Sequence, residues 1–231
     1  MKRVLSIMLV GILASGVAMA QFKLVGAGGF LDINGLLGPS GATDAVSKGG
    51  AGMGFGPHFG IGGKVKAMMG SNEKLKWVGS LTYDIYQGSG GTPTITFTQG
   101  LLRVGLGADY SLKAMNMGSK QAWPYVGGEV QINVFPGVSS SGWPSGYTAP
   151  TVDTKTRIGL GFRGGAEYPL NEKTNLDVSL KLSLNNLIGT GADNSKDVLY
   201  ASSTTGSTLS EGLFLSLGLT VGVNFSLGGG M

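Results

Sequence analysis

Side chains able to do chemistry are sparse in this sequence, and those present are badly spaced for it. His58, in the stretch FGPHFG, is the single histidine, and there is no cysteine. A general base must sit within hydrogen-bond reach of the proton it takes, and a metal centre needs several converging ligands. One imidazole meets neither condition, so His58 is expected to line or rim a lumen rather than to catalyse. The lack of cysteine removes disulfides, thiol nucleophiles and Cys-ligated metals together. Gly159, Gly161 and Gly164 satisfy G-x-G-x-x-G, but no helix signal follows and Arg163 interrupts, so the phosphate-cradling context is missing. No cofactor, no metal and no enzymatic activity are expected.

The remaining chemistry is ionic. Asp32, Asp84, Asp109, Glu129, Glu167 and Asp177 stand against Lys64, Lys66, Arg103, Arg157, Arg163 and Lys181, six of each sign. All twelve fall on the polar parity of runs whose alternate residues are apolar or small. Parity is set by the apolar residues, but the balance of signs is independent of that choice. Such a set makes either a mutually neutralising salt-bridge network or a gated polar path, with Arg103, Arg157 and Glu129 as its mid-lumen members. The network is the favoured expectation. Both uses require elements that gather the charges into one enclosed space.

Those elements are strands. A period of two recurs in eight runs: Phe22 to Asn34, Met53 to Met68, Leu75 to Gln87, Thr96 to Leu112, Trp123 to Phe135, Arg157 to Leu170, Leu176 to Ile188 and Leu213 to Leu227. The last, LFLSLGLTVGVNFSL, is apolar at every odd position and small or polar at every even one except Phe214. Two surroundings could suit such strands. In a soluble ligand-binding barrel the polar rows would face water, yet they are mostly Gly, Ser, Thr and Asn, a poor solubilising surface. In lipid the arrangement inverts, and each Lys or Arg on the mid-membrane exterior would cost about 2–4 kcal/mol. The apolar rows carry no charge, so they are expected to face hydrocarbon. Inward glycines (Gly54, Gly56, Gly60, Gly62, Gly105 and Gly107 among them) would let the strands coil around a narrow, side-chain-filled lumen.

Bulk properties agree. MKR followed by VLSIMLVGILASGV and Ala18-Met19-Ala20 reads as a signal peptide over residues 1–20, leaving residues 21–231 as one barrel domain. Removing it lowers Lys plus Arg from 17 to 15 against 13 acids, a net charge of +2 that gives no reason to expect nucleic acid. Glycine is abundant, at 43 residues, without a collagen period. Past the leader no stretch of twenty apolar residues occurs, so membrane entry must use strands. Links GSNEK, KAMNMGSKQA and NEKT are short, whereas those joining runs one–two, five–six and seven–eight are long. That alternation matches periplasmic turns and extracellular loops. Trp77, Tyr110, Trp123, Tyr168 and Phe225 gather at the short-turn end, where an aromatic girdle is expected.

Together these features make the chain resemble the small eight-stranded outer-membrane barrels of the OmpA transmembrane domain, OmpX and OmpW type. WPYVGGEVQINV is similar to that family's fifth strand, and GLGFRGGAEYPLNEKTNLDVSLKLS to its strand–turn–strand hairpin. The resemblance implies an all-β, membrane-spanning, eight-stranded antiparallel up-and-down barrel in the cell outer membrane, with outer-membrane lipids as partners. It also implies a last-strand signal for the barrel-assembly machinery, matched by Thr220, Gly222, Phe225 and Leu227, although the chain adds Gly-Gly-Gly-Met where the family ends on an aromatic. No peptidoglycan-binding domain is expected after the last strand. Lipid A deacylases resembling this fold use His-x-Ser, which His58-Phe59-Gly60 does not match. Trp143, Tyr147 and Tyr200, in the long segments, are candidate contacts for an extracellular ligand. The expected role is structural or surface-interacting. The alternative is a narrow channel for small polar solutes, or a lateral route for apolar ones. A closed barrel resists detergent, so unboiled and boiled samples should migrate differently on a denaturing gel; identical mobility would contradict closure.

Overall fold

The computed structural model describes residues 22–38, 53–70, 72–90, 94–146, 152–189, 200–201, 208–209 and 212–227. The leader expected at residues 1–20 and Tyr147 lie outside them. Eight long strands form the framework: β1 (Phe22–Gly38), β2 (His58–Met69), β3 (Leu75–Gly90), β4 (Ile95–Ser111), β5 (Lys120–Phe135), β6 (Lys155–Pro169), β7 (Thr174–Ile188) and β8 (Leu215–Ser226). Each pairs antiparallel with the next, and β8 returns to pair with β1, closing a ring. Closure leaves no edge of unpaired backbone groups, the condition for a sheet to stand in hydrocarbon.

Residues paired across an antiparallel ladder point to the same face, so one parity propagates around the ring. Leu180, Leu219, Ile33, Phe59 and Ile85 are successive partners across five strands, and all are exposed, Phe59 by 70%. One residue along, Ser179, Thr220, Asp32, Gly60 and Asp84 are also successive partners, and all are buried. The exterior is thus a leucine-, valine- and isoleucine-rich band and the interior is polar. Gly218 shows why small residues share the inner face: a methyl group there would collide with the Asn34 amide, which occupies that space.

The structure departs from the alternation at the ends of strands. β2 begins at His58, not Met53; Gly54 has φ +65° and Pro57 follows, which breaks the run. Met53 and Phe55 therefore turn inward and are buried, whereas Gly54 and Gly56 are only partly covered and are not the inward residues of that segment. β8 begins at Leu215, and Phe214 is fully buried. Trp123 pairs with the inward Glu167 and so faces the lumen mouth, while Trp77, Tyr110 and Phe225 stand on the exterior at that end. The link between β4 and β5 carries a short strand, Met115–Met117, paired back on Lys120–Ala122, and Ser139–Ser141 extends the outer edge of β4.

With Leu219 half-exposed at the centre of the β8 exterior, Leu219→Arg should block membrane assembly by about 2–4 kcal/mol of lipid-exposure cost. Leu219→Ile should assemble normally, and equal membrane levels of the two variants would contradict a lipid-facing exterior.

Candidate functional site

The lumen gathers the charged residues into a continuous network. From the middle of β4, Arg103 contacts Asp84 at 2.5 Å and Asp32 at 3.7 Å. Asp84 accepts a further hydrogen bond from Asn34 Nδ2 at 3.0 Å, and Asp32 accepts one from the Thr220 hydroxyl. At mid-height Glu129 receives Lys181 at 2.6 Å, Arg163 at 2.5 Å and Gln131 Nε2 at 2.8 Å. Arg163 also donates to Asp109 at 2.7 Å, joining this group to the next.

Toward the short turns, Asp177 holds Lys64 at 2.6 Å, Lys66 at 3.3 Å and the Tyr125 hydroxyl at 2.6 Å. Glu167 holds Lys66 at 2.6 Å and Lys76 at 3.4 Å, and Asn224 Nδ2 donates to both carboxylates. Every one of the six acids thus meets at least one cation. That mutual pairing is what allows ions to sit out of bulk water. Lys76 is a member that parity alone allowed but the twelve-residue set omitted; it sits near the start of β3 on the same face as Asp84. Arg157 is not mid-lumen. It lies near the loop end of β6, its guanidinium donating to Thr156 O at 3.1 Å.

Above the ions sits an apolar plug. Phe214 packs edge-on to Tyr86 and against Phe135, each with ring centroids 5.3 Å apart, and Met53, Phe55, Phe97 and Leu101 complete the layer. His58 lies directly beneath, its ring centroid 3.8 Å from that of Tyr86. It is 2% exposed, and its Nε2 is 3.9 Å from Asp84, beyond hydrogen-bond range. Neither imidazole nitrogen has a hydrogen-bond partner among the described residues, and no cluster of potential metal ligands occurs among them. The apolar residues of this plug were legible only as exceptions: Phe97, Leu101 and Phe135 sit on the inward parity, and Phe214 breaks the alternation of its run.

Of the residues matching the assembly signal, Thr220 and Gly222 point inward, while Phe225 and Leu227 are exposed on the outside. Trp143, partly buried, packs edge-on against Phe97 at 6.2 Å and donates from Nε1 to Ser140 Oγ at 2.9 Å, so it braces the rim. Tyr200 lies in a two-residue strand paired with Thr208–Leu209.

A ring closed without edges, uncharged outside and ionic inside, has one compatible environment. The chain folds as a small membrane-spanning β-barrel. No protein-family model matches it, and no curated protein matches it significantly. Among solved structures it is similar to Neisserial surface protein A, at 17% identity over 90% of this chain and 97% of that one, with a TM-score of 0.45. It is also similar to Ail, the attachment invasion locus protein of Yersinia pestis, in complex with the heparin analogue sucrose octasulfate: 9% identity over 89% and 98% of the chains, TM-score 0.39. The translocator domain of the autotransporter NalP from Neisseria meningitidis gives 13% identity over 97% of each chain, TM-score 0.34.

Arg103→Met strands Asp84 and Asp32 together and should cost about 3–5 kcal/mol. The triple variant Asp32→Asn/Asp84→Asn/Arg103→Met should regain most of that stability, as read from urea midpoints in detergent. Glu172→Gln, on an exposed turn, should stay within about 0.5 kcal/mol of the parent.

Proposed function

We propose that this protein is a non-enzymatic outer-membrane barrel with a closed lumen, acting as a structural and surface-interaction element through its long loops. The observation carrying this reading is the double closure of the lumen: an aromatic plug at the loop end over a neutralised ionic network. A solute path would need mobile water and unpaired charge along the axis, and the network leaves its carboxylates paired. Catalysis by His58 is disfavoured for the same reason, since the plug stands between the imidazole and the exterior.

The long segments carry Lys48, Lys155 and Lys196 against Asp44, Asp153, Asp193, Asp197 and Glu211, three cations to five anions. That balance suits a neutral or basic surface partner better than a polyanion of the kind found with Ail. Trp143 is committed to the rim, so Tyr147 and Tyr200 are the aromatic contacts left to propose.

Reconstituted into a planar bilayer, the purified protein should give no unitary conductance steps above the lipid background. Reproducible steps would favour the channel reading instead. A changed lipid A profile in cells expressing His58→Ala would favour an enzyme.

A further inference from the structure

At the end opposite the plug the barrel is open. A cavity of about 810 Å³ enters the lumen between the short turns, and Lys66 and Glu167 of the ionic network are among the residues lining it. Its wall and rim add Lys23, Lys74, Lys76 and Lys113, with Glu73 as the other acid. Five lysines against two glutamates leave a net +3 in one mouth. Elsewhere in the lumen Lys64, Arg103, Arg163 and Lys181 are each matched to a carboxylate, but Lys23, Lys74 and Lys113 have no ion-pair partner among the described residues. This imbalance is local and faces the opposite way from the acidic loop segments, so the barrel carries an axial electrostatic asymmetry that draws anions to the turn side.

We propose that this mouth binds a multiply charged phosphate group, supplied either by an anionic phospholipid headgroup or by a free phosphorylated solute. Its cations are all lysines. Planar, two-point recognition of a carboxylate is the province of arginine, whereas lysine ammoniums on flexible stems act as point charges that close around a compact polyanion. A charge of +3 matches a di- or trianion and exceeds what a single carboxylate would neutralise. Val25, Leu112 and Trp123 line the same cavity and offer apolar contact to the rest of a larger ligand. Penetration ends where Lys66 is held by Glu167 and Asp177, so this is a binding pocket and not the start of a conduit.

Of the three tryptophans, only Trp123 lines the cavity, so a Trp77→Phe/Trp143→Phe background makes it the reporter. Inorganic pyrophosphate is titrated into the detergent-solubilised full barrel. Separately, the barrel is placed in zwitterionic nanodiscs with or without phosphatidic acid, whose phosphomonoester headgroup can carry two negative charges. Saturable change of Trp123 emission with pyrophosphate, weakened about tenfold or more by Lys74→Gln/Lys113→Gln and unaltered by Lys173→Gln, supports the site with a soluble ligand. A response only to phosphatidic acid, abolished by the same double variant, supports it with a lipid headgroup. No response to either probe, or one that the double variant leaves intact, overturns the proposal; boiled and unboiled gel mobility verifies that each variant is folded.

Discussion

Hydrocarbon accepts neither an unpaired backbone polar group nor an unpaired charge, and the rest of this molecule follows from that constraint. The first exclusion closes the sheet: β8 pairs with β1 from Gly26↔Ser226 to Asp32↔Thr220 and beyond, so the ring has no edge. The second sorts the side chains. Since successive residues of a strand face opposite ways, every charge kept off the exterior is delivered to the interior.

That delivery creates the second problem of the fold, which is how to hold a dozen ions in a lumen only eight strands wide. The answer is proximity. Lys66 lies 3.6 Å or less from Asp109, Glu167 and Asp177, and Arg163 bridges Asp109 to Glu129. Each of these pairs is weak evidence of stability taken alone, because desolvation offsets the Coulombic attraction. Their collective effect is to make the interior indivisible, since removing one member strands its partners. Strand-level glycines supply the room: a methyl group at Gly107 would strike the backbone of β5 beside Glu129.

The lumen is also unlike at its two ends. Aromatic residues close the loop side, and lysines around an open mouth mark the turn side. The proposed surface interaction on one face and the proposed anion binding on the other are therefore separable duties of a single cylinder. Neither requires passage through it.

Parity, strand number, the inward placement of His58 and the uncharged exterior were legible in the sequence, because a strand in lipid sees two environments with a strict period of two. The same test was silent for Met53, Phe55 and Phe214, which lie beyond the ends of β2 and β8, and for the plug that the inward Phe97 helps to form, since an apolar side chain suits both hydrocarbon and a buried layer. Only its position along the barrel axis decides which it meets. Ion partners were equally hidden. Lys64 and Asp177 are 113 residues apart and touch only once ring closure and strand stagger bring β2 across from β7. The sequence by itself determined which side of the wall most strand residues occupy, a local property of the extended chain. The pairing of charges, the plug and the cationic mouth were decided by tertiary structure, because they depend on distances across the lumen that no single strand contains.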